Sequence, residues 1–107
     1  MSYLFYNCLT LVSLDLSSFD TSSVTDMTNM FAECGNLTSL DLSNFNTEKV
    51  INMDYMFQNC ISLVSINLNN FITPSLYNMN FMFARCHSLL TLNLGSFNTT
   101  SVKYMKS

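Results

Sequence analysis

Residues 37–60, LTSLDLSNFNTEKVINMDYMFQNC, decide how this chain is read, because nearly the same text recurs before and after them. Cys60 closes the stretch, and the cysteines Cys8, Cys34, Cys60 and Cys86 follow one another at intervals of 26 residues. Phe5, Phe31, Phe57 and Phe83 keep the same interval, as do Phe19, Phe45, Phe71 and Phe97. So do Leu16, Leu42, Leu68 and Leu94, the threonines Thr21, Thr47, Thr73 and Thr99, and the methionines Met27, Met53, Met79 and Met105. A fixed period between 20 and 50 residues marks a repeat array. A unit of this size cannot bury its own apolar face and must bury it against its neighbours.

Within one unit, Leu37, Leu40 and Leu42 have the spacing L-x-x-L-x-L. Its second half, Leu-Asp-Leu, alternates as a strand does when one face is buried. Ser-Asn-Phe-Asn-Thr then interrupts the alternation with turn-forming residues. Met27, Met30, Phe31 and Cys34 follow at i, i+3, i+4 and i+7, which predicts a helix of about two turns. Thr25 or Asp26 would cap it, and Gly35 would suit its C-terminal end. The expected fold class is therefore α/β: a solenoid of about four 26-residue repeats over residues 1–107, with a short parallel sheet on one face and short helices or helical turns on the other.

The spacing resembles the leucine-rich repeat, and MFAECGNLTSLDLSNFNT (residues 30–47) and MFQNCISLVSINLNNFIT (residues 56–73) resemble the BspA-type surface-protein repeat. The likeness runs through the whole chain, with many columns matching in order. It departs from the common leucine-rich repeat at Phe45, where an Asn would ladder its amide from turn to turn, so that ladder is expected to be missing. The resemblance implies a secreted or cell-surface protein and a role in adhesion.

Composition sets further bounds. Charged residues are only 10% of the chain, so Ser, Thr and fourteen Asn have to supply most of the wetted surface. Asp15, Asp20, Asp26, Glu33, Asp41, Glu48 and Asp54 share residues 1–54 with one base, Lys49 (−6), whereas residues 55–107 carry only Arg85, Lys103 and Lys106 (+3). Three scattered bases are too few for a patch that tracks phosphates, which argues against nucleic acid. No apolar run reaches the roughly 18 residues of a membrane span, and no signal peptide opens the chain. Met1 falls in the methionine column and neither end shows a polar capping unit, so the chain reads as a piece of a longer array or one whose ends are covered.

No catalytic constellation emerges, and neither a cofactor nor a metal is expected. Zinc sites use close cysteine pairs, unlike this spacing. Disulfides need Cα atoms within roughly 7 Å, while cysteines on neighbouring helices would lie roughly 8–10 Å apart. All four are therefore expected to be reduced core thiols. His87, the single histidine, has neither a nucleophile nor an orienting group nearby. Asp15 and Asp41 would suit a weak calcium pair, but Asn67 and Asn93 take their place further on and no calcium loop accompanies them. Asn36 and Asn98 open glycosylation sequons, meaningful only in a eukaryotic secretory route. What is left is the outward side of the sheet as a candidate binding face: Ser13, Asp15 and Ser17; Ser39, Asp41 and Ser43; Ser65, Asn67 and Asn69; Thr91, Asn93 and Gly95. Its expected role is non-catalytic contact with a protein or cell-surface ligand. The alternatives are further copies of the chain stacked end to end, or a structural part in a larger assembly.

Overall fold

The computed structural model describes residues 1–98. Among them no helix occurs, and the regular elements are two three-residue strands, β1 (Ser39–Asp41) and β2 (Ser65–Asn67). The strands pair in parallel with Ser39 opposite Ser65, Leu40 opposite Ile66 and Asp41 opposite Asn67, an offset of one 26-residue period. Isolated parallel bridges at the same offset join Asp26 to Asn52 and Asn52 to Asn78. This corrects the expected α/β class. The structure is a small compact domain of turns and two short parallel strands, not a leucine-rich-repeat solenoid faced with helices.

The reason lies in where the N–H groups of residues 27–34 go. A helix would commit each of them to a carbonyl four residues back. Instead Met27, Asn29, Phe31 and Glu33 donate to the carbonyls of Asn52, Asp54, Met56 and Gln58 in the next row, at 2.8–3.0 Å. Met30, Ala32 and Cys34 close turns onto residues three back, Met27, Asn29 and Phe31. Asn29 and Glu33 have φ of 55° and 65°, and the equivalent Tyr3, Asn7, Tyr55, Asn59, Phe81 and Arg85 are also positive. Tyr3, Asn29, Glu33, Tyr55, Asn59 and Arg85 are each the third residue of a hydrogen-bonded four-residue turn, the place where a type II turn needs positive φ. None is glycine, although left-handed backbone disfavours other residues by roughly 1–2 kcal/mol. The N–H groups of these same residues in the first three rows bond the next row, and those bonds hold the strained geometry.

Side chains reinforce the rows. Phe5, Phe31, Phe57 and Phe83 stack in one file with ring centroids 5.2–5.6 Å apart. Phe45, Phe71 and Phe97 form a second, at 6.4 and 5.7 Å. Such spacings suit rows at strand separation, roughly 4.8 Å, and not helices packed at roughly 8–10 Å. The predicted core holds: Leu40, Leu42, Phe45, Met53, Met56, Phe57 and Cys60 are all buried, as are Met27, Met30, Phe31 and Cys34 of the stripe that predicted a helix.

Buried threonines tie the rows together as well. Thr21 Oγ1 donates to the Asn46 carbonyl at 3.0 Å and accepts the Asn46 N–H at 2.8 Å. Thr73 does the same with Asn98, and Thr47 donates to the Ile72 carbonyl at 2.9 Å. Asn44, next to the column where an amide ladder is absent, sends its amide to the Leu16 carbonyl at 2.9 Å. The row-to-row side-chain bonds here are carried by Thr and by Asn44. Thr21→Val keeps the shape of the site and leaves both Asn46 groups unpaired, so a loss of about 1–3 kcal/mol is expected in denaturant unfolding.

Candidate functional site

The three columns of the candidate face carry the chain's exposed order. Ser39 and Asp41 flank buried Leu40 in β1, and Ser65 and Asn67 flank Ile66 in β2, so alternation turns the polar side chains outward. Ser13, Asp15, Ser17, Ser43, Asn69, Thr91, Asn93 and Gly95 are exposed too. All twelve residues expected on the face therefore reach solvent, whereas only the two middle rows form strands.

The middle column has a role that spacing alone did not reveal. Asp15 Oδ1 accepts the Ser17 N–H at 2.9 Å, and Asp41 Oδ1 accepts the Ser43 N–H at 2.9 Å. Asn67 and Asn93 do the same for Asn69 and Gly95, at 3.1 and 2.9 Å. An Asx turn needs a short side-chain oxygen, which aspartate and asparagine both offer. This explains why the column tolerates the exchange. The Ser17 backbone and hydroxyl hold the Asp15 carboxyl below its usual range, and Ser43 does the same for Asp41. Asp20 is lowered by the hydroxyl and backbone of Ser22.

Large apolar side chains are exposed as well, two of them next in sequence to residues of this face, Val64 before Ser65 and Leu90 before Thr91. Ile61, Val64 and Leu90 are exposed large hydrophobics, Leu90 at 80%. Val64 and Leu90 lie on successive rows, since the Leu90 N–H bonds the Val64 carbonyl. On another side, Phe45, Asn46, Thr47, Glu48, Asn70 and Ile72 line a cleft of about 190 Å³, smaller than the roughly 300–1,000 Å³ of small-molecule sites.

The cysteine column also differs from its expected form. Cys34 and Cys60 are buried, Cys8 and Cys86 half-buried, and all four are free. Each inner thiol donates to a carbonyl of the preceding row: Cys34 to Phe5, Cys60 to Phe31 and Cys86 to Phe57, all at 3.1 Å. Burial pushes Cys60 up to about 12 and Cys34 and Cys86 up to about 11, so they remain protonated donors. The separation argument against disulfides assumed helices. With rows at strand spacing that argument falls. His87 is exposed. Among the described residues, no group of three His, Cys, Asp or Glu side chains gathers as a metal site. Nor is any helix there long and apolar enough to cross a membrane.

The model of a family described as Mycoplasma protein of unknown function, DUF285, matches residues 1–107. The chain belongs to the DUF285 family. No curated protein and no solved structure matches it.

Proposed function

We propose that this DUF285 chain is a non-catalytic binding module that contacts a protein at the cell surface through the face from Ser13 to Gly95. The observation that carries the proposal is the exposure of all three polar columns at one repeating offset, with Val64 and Leu90 exposed next to two of them. A regular polar face without aromatic anchors gives weak contacts singly, because hot spots favour Trp, Tyr and Arg. Several such contacts at once add avidity, so the module works by multivalency. The surface location and the adhesive role rest on the resemblance to BspA-type proteins.

A second reading, a stacking component of a larger assembly, draws on the outermost rows. Each row donates its N–H groups to carbonyls of the next row, a pairing that one copy could continue onto another. The opposite charges of the two halves favour the same contact.

One experiment separates the readings. The chain, displayed as a streptavidin-linked tetramer, should be retained on cultured cells and lose that retention when the cells are first treated with trypsin. Ser39→Lys with Thr91→Lys, both exposed positions of the face on rows that are not neighbours, should lower retention at least tenfold with an unchanged melting temperature. Equal retention by the variant would reject the face. Light scattering of the untethered chain, with a mass that rises with concentration at low salt and falls back at about 0.5 M salt, would favour stacking instead.

A further inference from the structure

The cleft at Phe45 opens between two rows, at a corner built unlike its counterparts. Thr21 Oγ1 accepts the Asn46 N–H at 2.8 Å and Thr73 Oγ1 accepts the Asn98 N–H at 2.9 Å. Among the described residues no N–H returns to Thr47 Oγ1, which only donates, to the Ile72 carbonyl at 2.9 Å. Phe45 and Phe71 stand 6.4 Å apart here, against 5.7 Å for Phe71 and Phe97. The rows part at this point, and Phe45, Asn46, Thr47, Glu48, Asn70 and Ile72 line an opening of about 190 Å³. One period away on either side, Ser22 and Pro74 stand for Glu48, and Asn46 and Asn98 for Ile72. Neither of those corners joins a carboxylate to an aliphatic wall.

The polar groups of the lining are short of donors. The Thr47 hydroxyl is engaged with the Ile72 carbonyl and the Asn70 amide nitrogen with the Ser43 carbonyl. Glu48 is held only through its backbone N–H, which donates to Asn46 Oδ1 at 3.0 Å, so its carboxylate stays without a partner among the described residues. What remains is a set of acceptors, the Thr47 and Asn70 oxygens and the Glu48 carboxylate, and Glu48 carries the one charge on the lining. Ile72, 54% exposed, supplies an aliphatic wall beside the Phe45 ring. We infer that this cleft takes the side chain of a lysine from a protein partner, its stem along Ile72 and Phe45 and its ammonium at Glu48. A lysine offers a four-carbon apolar stem and a compact charge with three donors and no acceptor. Acceptors on separate residues suit that rotatable head better than the flat fork of arginine. The opening is below the size of small-molecule sites and admits one side chain.

The cleft lies off the polar face, so the inference stands whether or not that face binds. Nα-acetyl-lysine N-methylamide, titrated into the folded chain and followed by amide NMR, should give saturable shifts centred on residues 45–48 and 70–72. The norleucine analogue, which keeps the stem and lacks the ammonium, should bind about fivefold more weakly. Glu48→Gln should weaken the lysine probe by about the same factor, and Ile72→Ala should weaken the lysine and norleucine probes alike. Glu48 and Ile72 are exposed, so both variants should keep the melting temperature. Equal binding of the lysine and norleucine probes, wild-type affinity in Glu48→Gln, tighter binding of the arginine analogue, shifts centred elsewhere, or no saturable shift would each overturn the assignment.

Discussion

Phe57→Ala is expected to lower the unfolding free energy by about 3–5 kcal/mol. Phe57 is fully buried, and its ring stands between Phe31 at 5.6 Å and Phe83 at 5.2 Å, with the planes 2° and 13° from parallel. Truncation removes the transfer free energy of the ring and opens a cavity. The rows on either side cannot close over it, because backbone hydrogen bonds fix their spacing. Two stacked pairs go as well, each contributing about 0.5–1.5 kcal/mol beyond burial. Ile72→Ala makes the contrast: Ile72 is 54% exposed, so a change of about 0.5 kcal/mol or less is expected. Urea unfolding of the two variants checks both values, and equal losses would mean that the phenylalanine file is not the core.

Alkaline pH is the second lever with a large expected effect. Burial holds Cys60 up to about 12 and Cys34 and Cys86 up to about 11, against an ordinary value of 9.0. In the unfolded chain these thiols ionise near the ordinary value, while the folded protein keeps their protons. Above that pH the unfolded state binds fewer protons. Stability is therefore whole below it and falls as pH rises towards the folded values. For Cys60 the limiting slope is about 1.4 kcal/mol per pH unit, and the other two thiols act in the same direction. Asp15, Asp20 and Asp41 act oppositely. Their carboxyls are lowered from 3.8, so their contribution is present above that value and is lost as pH falls through the lower folded values. Urea midpoints measured from pH 3 to 11 should show a plateau at about pH 5–8 with a fall on both sides. Cys60→Ala should flatten the alkaline fall; an unchanged alkaline limb in that variant would show that its thiol is not what titrates.

Much of this was legible in the residues themselves. The 26-residue period named the rows, and period-two alternation around Leu40 and Ile66 placed the core leucines inside and the Ser, Asp and Asn columns outside. Both follow from side-chain chemistry, since apolar columns are buried in whatever backbone carries them. The backbone of residues 27–34 was another matter. Met27, Met30, Phe31 and Cys34 are buried as a helical stripe would be, yet they sit on successive turns. Asn7, Asn29 and Asn59 tolerate positive φ and were the local signal for turns, whereas Tyr, Glu, Phe and Arg fill the other positive-φ positions where glycine would have announced one.

The sequence by itself determined which residues are inside, which are outside and at what interval they recur. Only the tertiary structure decided how the backbone satisfies its hydrogen bonds. A helix closes them within one segment, whereas here alternate N–H groups from residue 27 to residue 33 find their carbonyls 25 residues away. That choice depends on a neighbouring row at strand distance, and with it come the thiol, threonine and Asx bonds that local spacing cannot show. A residue pattern carries the periodicity of burial, but not the partner of a donor that lies in another row.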